Sequence, residues 1–146
     1  ELTNMGQYFV VANTTKKEFL HPHKFGSGLK FLEFTLDGCS VMSGLAHLLG
    51  QSSDGVAHDD ATVTGRWIGD HVIIVGDYDT SGVFDEAMDG NDYTDISNAV
   101  IQHMGKDPYV QSRLSEHHRW DGGGANPVFQ DGGSFMLPTL RPDEVI

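Results

Sequence analysis

The chain is short of cysteine, of positive charge and of long apolar runs, and each shortage excludes something. A single cysteine, Cys39, excludes an internal disulfide framework and a multi-cysteine zinc site. Only 9 Lys and Arg stand against 21 Asp and Glu, a net charge of -12. That balance lacks the basic face a nucleic-acid backbone requires. It also argues against adhesion to an anionic membrane surface. No apolar run approaches the roughly 20 residues that span a bilayer. The first residues lack the basic-then-apolar pattern of a signal peptide. A cytoplasmic setting is expected, with neither membrane nor direct nucleic-acid binding.

What remains is one domain's worth of chain: 146 residues, expected to form a single domain over 1–146. At 38% hydrophobic and 10% aromatic it has the apolar content for a folded core, which a wholly disordered chain lacks. Residues 1–4 read as an upstream extension or a cloning remnant, with Met5 as the natural start. The charge is uneven. Residues 1–30 carry four lysines and two glutamates, a net of +2, so the remaining 116 residues carry -14. Asp supplies 15 of the 21 acids and favours turns and caps, which places much of the acid in loops. Such a surface suits a basic partner or a cation site.

Residues 8–12 and 17–20 predict an opening β-hairpin around Asn13, Thr14 and Thr15. Residues 29–35 are apolar on both faces and predict a buried third strand. Over 40–49, Val41, Leu45, Leu48 and Leu49 recur at helical spacing, with Asp37 or Ser40 as cap and Gly50 at the end. A polar loop covers 51–62. Residues 64–68 and 71–77 flank Gly69-Asp70 as a second hairpin, whose apolar later strand is expected at the centre of the sheet. A turn-rich stretch reaches Asn91. Thr94 or Asp95 then opens a helix carrying Ile96, Val100, His103 and Met104 to Gly105, and Asp107-Pro108 opens another to about His117. Residues 121–134 are Gly-rich and read as a flexible segment. Phe135, Met136, Leu137, Leu140 and Val145 suggest that the end packs back. This order makes an α+β fold: about five mostly antiparallel strands with about three helices, largely on one face.

Possible chemistry is sparse. His21-Pro22-His23 puts two imidazoles two residues apart, on one side of an extended strand, as metal-chelating pairs are. Asp77 and Asp79 alternate in the same way and could complete a site for a divalent metal. His58-Asp59-Asp60 and Asp85-Glu86 are acid clusters in loops and do not match an EF-hand. Cys39 precedes a helix and reads as a structural thiol. Ser43 and His47 share a helix face without the sharp turn that presents a serine nucleophile. Gly26-Ser27-Gly28-Leu29-Lys30 precedes a strand, the wrong order for a phosphate loop.

The stretch Met5-Gly6-Gln7-Tyr8 resembles the start of a family of short bacterial and phage-associated proteins with no known activity. The likeness continues through 18–26 and Gly28-Leu29-Lys30, then Gly65-Arg66-Trp67, Gly69-Asp70, 73–78 and 93–97. It includes His21, His23 and Asp77, and it implies the architecture and a phage or mobile-element setting without an activity. The preferred expectation is a small non-enzymatic protein whose acidic surface engages a basic protein, as an accessory or inhibitor protein. A metal-dependent hydrolase using His21, His23, Asp77 and Asp79 is one alternative. A virion or assembly component is another.

Overall fold

A computed structural model describes residues 7–35, 40–51, 63–90, 92–105 and 140–146. The expected helix over 107–117, the Gly-rich segment, Cys39 and His58-Asp59-Asp60 lie outside these residues. Among the described residues the sheet has four strands in the order β3-β1-β2-β4. Strands β1 (Phe9–Asn13) and β2 (Glu18–Leu20) form the expected opening hairpin, with Asn13 opposite Glu18. The Asn13 carboxamide oxygen accepts from the Lys16 amide at 2.8 Å, and Lys17 takes a left-handed φ of 60° to close the loop. β3 (Val72–Gly76) pairs antiparallel with β1, Phe9 opposite Gly76. β4 (Thr94–Asp95) pairs parallel with β2, so the sheet is mixed and not wholly antiparallel.

The period-2 alternation of the strands divides the core. Val11 and Leu20 face a cluster holding Phe25, Phe34, Val41, Leu48, Trp67 and Val100. Val10, Ala12, Phe19 and Val75 face Ala87 and Tyr93. Helices α1 (Val41–Leu49) and α3 (Ser97–Met104) belong to the first side. The six-residue α2 (Val83–Met88) covers the second, within the stretch expected to be turns. Ser40 caps α1 as expected, its hydroxyl accepting from the Met42 amide at 3.3 Å. Gly50 ends α1 in an extended, not left-handed, conformation. Asp95 accepts from the Ser97 amide at 2.9 Å at the start of α3, and Ile96, Val100, His103 and Met104 are all buried. Gly44 lets α1 approach closely, since a Cβ there would stand 2.8 Å from the Phe25 ring. No helix among the described residues is long and apolar enough to cross a membrane.

Three expectations are overturned. The third strand is instead a 3-10 helix, Phe31–Thr35, with Phe31 and Leu32 exposed and Phe34 driven into the core. β3 lies at an edge of the sheet, because β1 pairs with β2 on its other side. Residues 64–68 form no strand: Arg66, Ile68 and Asp70 donate to the carbonyls three residues back, making successive turns. The reason is tertiary. The amides of Gly65 and Trp67 donate to the carbonyls of His47 and Leu48 in the last turn of α1, at 3.0 and 2.9 Å. The side chains of Arg66 and Trp67 both turn to Glu18. Its carboxylate accepts from the Trp67 indole at 2.8 Å and from Arg66 Nη2 at 2.6 Å.

At the chain's end, Glu144 is buried and accepts from the Asn98 side-chain amide at 2.9 Å. Ile146 packs on the first cluster and Leu140 is half-buried, while Val145, also expected to pack back, is exposed; Phe135, Met136 and Leu137 lie outside the described residues.

Replacing Glu18 by Ala strands the Arg66 charge and the buried indole N–H. We expect a loss of about 3 kcal/mol, the low end for breaking a buried ion pair because Arg66 is partly exposed. Glu18→Gln, which keeps the volume and an acceptor oxygen for the Trp67 indole but removes the charge that Arg66 faces, should cost less. Urea denaturation of both variants checks the order; equal, small losses would contradict it.

Candidate functional site

Two regions carry the residues singled out in the sequence. β2 and β3 both run antiparallel to β1, so both finish at the end of the sheet where β1 begins. His21 and His23 follow β2, while Asp77 and Asp79 follow β3, with β1 between the two pairs.

The histidines do come together, with ring centroids 5.3 Å apart. They are not on an extended strand. His21 is the N-cap of the 3-10 helix Pro22–Phe25, which Pro22 starts and Gly26 ends with a left-handed φ of 81°. His21 Nδ1 accepts from the His23 amide at 3.3 Å, and the His21 amide donates to the Ser97 hydroxyl at 2.7 Å. Burial holds the pKa of both imidazoles below the ordinary value; Asp95 opposes this at His21 and Glu33 at His23. A neutral His21 ring is what its cap requires, because a protonated Nδ1 accepts nothing.

Asp77 and Asp79 have other partners. Asp77 Oδ1 accepts from the Tyr8 amide at 3.2 Å and extends the β1–β3 ladder. Asp79 is held by the Ser81 hydroxyl and, at 2.8 Å, by the Ser81 amide, contacts that lower its pKa. Among the described residues no group of three or more His, Cys, Asp or Glu is placed to hold a metal ion. The pair His21–His23 is assembled, and Asp77 and Asp79 do not join it. Ser43 serves the cap of α1, and the His47 ring meets the Ser43 carbonyl at 2.9 Å, not its hydroxyl.

The second region is the segment 77–92. It holds six acids, Asp77, Asp79, Asp85, Glu86, Asp89 and Asp92, and no Lys or Arg. All six are exposed. Asp85 and Glu86, expected in a loop, instead sit in the first turn of α2, where the helix dipole favours them. Among the described residues five cations are engaged elsewhere. Lys16 meets Asp70 at 2.7 Å, Lys24 meets Asp95 at 2.8 Å, and Arg66 meets Glu18. Arg141 lies by Asp143 and Glu144, and Lys17 over the Tyr93 ring. Among the described residues the carboxylates of Asp85, Glu86, Asp89 and Asp92 meet no cation.

Two hollows border the sheet. One, of about 300 Å³, lies by β4 and is lined by Lys24, Asp95, Arg141 and Glu144, charges already matched to one another. The other, of about 520 Å³, runs along β3 and the turn after it, between Phe9, Ile74, Gly76, Tyr78 and Asp79. Gly76 lets Gln7 and Phe9 lie close over the strand, since a Cβ there would stand 2.8 Å from the Phe9 ring. No protein-family model, no curated protein and no solved structure matches the chain.

The lowered basicity of His21 and His23 gives stability a signed pH dependence. An imidazole whose folded-state pKa lies below its unfolded value contributes fully above that value, near 6.5, and the contribution is lost as pH falls through the window beneath it. The urea midpoint should therefore decline as pH falls from 6.5 toward the folded-state values. The decline should be shallower in a His21→Asn/His23→Gln variant, in which Asn can still cap the helix. An unchanged slope would contradict the assignment.

Proposed function

We propose that this protein is a non-enzymatic interaction protein whose acidic segment 77–92 engages a basic protein, as an accessory or inhibitor protein of a phage or mobile element. The observation that carries the reading is the charge of that segment, whose acids meet no Lys or Arg side chain among the described residues. Acids left unpaired on one face repel one another and lower the stability of the free chain. A basic partner removes that repulsion and is steered toward the face by the field the acids create. The phage or mobile-element setting rests on the resemblance carried by 5–8, 18–26, 28–30, 65–67, 69–70, 73–78 and 93–97.

The test uses the basic protein that the chain captures from cells, and a variant with Asp85→Asn, Glu86→Gln, Asp89→Asn and Asp92→Asn. At low salt, association of the variant should slow by about tenfold or more, and the gap should close in concentrated salt as charge is screened. A variant that associates as fast as the parent, or a chain that retains no basic protein, would contradict the reading.

A second reading, the metal-dependent hydrolase, has one observation in its favour. The imidazoles of His21 and His23 lie side by side and are held toward the neutral form that ligates metal. In that reading Asp77 and Asp79 would move to join them around a divalent metal supplying an activated water. The interaction reading predicts the same metal content in the parent and in a His21→Ala/His23→Ala variant. A transition metal near one per chain that the variant loses would favour the hydrolase.

A further inference from the structure

We propose that the outer edge of β3 receives an extended segment of a basic protein as a fifth strand; the proposal rests on the interaction reading and specifies its mode. The available edge follows from the ladder. The Asp77 amide donates to the Tyr8 carbonyl at 2.9 Å, and the Thr14 amide donates to the His71 carbonyl at 2.9 Å. In an antiparallel pair such residues alternate. His71, Ile73, Val75 and Asp77 therefore turn their main-chain groups toward β1, and Val72, Ile74 and Gly76 turn theirs outward. Among the described residues no strand meets that outer edge. The Gly76 carbonyl accepts from the Asp79 amide at 3.0 Å. Both groups of Val72, both groups of Ile74 and the Gly76 amide remain for a partner.

Edge strands are ordinarily guarded by proline, lysine, a bulge or brevity. β3 reads Val-Ile-Ile-Val-Gly, without proline or lysine, and pairs with β1 residue for residue without a bulge. The strand is ready to pair, and its surroundings select the partner. Asp77 and Asp79 stand exposed just past its end, and α2, which packs beside β3, presents Asp85, Glu86 and Asp89 on its outer side. A second copy of this chain, at a net charge of -12, meets repulsion there. A segment with Lys or Arg near Asp77 and Asp79 meets attraction, and an apolar side chain among its alternating residues fills the hollow between Phe9, Ile74 and Tyr78. Main-chain bonds would give affinity, while the hollow and the acids give specificity.

The experiment records amide hydrogen exchange of the full chain with short capped peptides alternating Lys or Arg with Val, Ile or Thr. Binding should slow exchange at Val72 and Ile74 by about tenfold or more, with little change at Ile73 and Val75. Methylating alternate peptide amides should abolish it. The Ile74→Pro variant, which deletes an outward amide without breaking the ladder to β1, should bind about tenfold more weakly or worse. Cationic peptides that bind but perturb only residues 85–92 would overturn strand addition and leave the acidic-face reading standing. Failure of every cationic peptide to bind would overturn both. Protection of Val72 and Ile74 that rises with chain concentration, without peptide, would identify a second copy as the occupant and overturn the proposal.

Discussion

A carboxylate buried on the hairpin organises the rest of the molecule. Glu18 is 7% exposed on β2, a position where an unpaired charge would cost several kcal/mol. It is held by the Arg66 guanidinium at 2.6 Å and by the Trp67 indole at 2.8 Å, residues 48 and 49 positions away. Satisfying it pulls the turns over 63–70 against β2, and their amides reach the last carbonyls of α1. One ion pair thus locks the hairpin to the end of a helix. Trp67, the largest fully buried side chain among the described residues, fills the space between them.

The clamp also determines what β3 lacks. Residues 64–68 have the composition of a strand and would be the nearest partner for the outer edge of β3. Drawn to Glu18 instead, they leave that edge without a neighbouring strand among the described residues. Arg66, one of few cations, is paired with Glu18, while Lys16 and Lys24 are matched to Asp70 and Asp95. The acids of 77–92 meet no Lys or Arg side chain among the described residues. Edge and charge therefore arise together from the assignment of a handful of basic side chains.

Elements with local determinants were legible in the sequence. The first hairpin declares itself through Asn13 and its β-formers, α1 through Ser40 and the spacing of Val41, Leu45 and Leu48, and α3 through Asp95 and its apolar stripe. What could not be read locally was decided by distant partners. The apolar residues of 29–35 fit a strand as well as a 3-10 helix, and only their packing separates the two. β4 is two residues long and exists by virtue of its pairing with β2. α2 hid behind its acids, although Val83, Phe84, Ala87 and Met88 do carry a helical apolar face. For the site, the proximity of His21 and His23 was legible because they stand two positions apart, with only Pro22 between them. Whether Asp77 and Asp79 would join them depended on strand order, and β1 stands between.

Amide exchange along β3 in the free protein tests the central claim most directly: that the segment before β3 is withheld from it and the outer edge is open. Val72 and Ile74 amides should exchange far faster than those of Ile73 and Val75, which face β1. Uniform protection of all four, at concentrations where the chain is monomeric, would mean that another part of the chain covers the edge, and the account would fail.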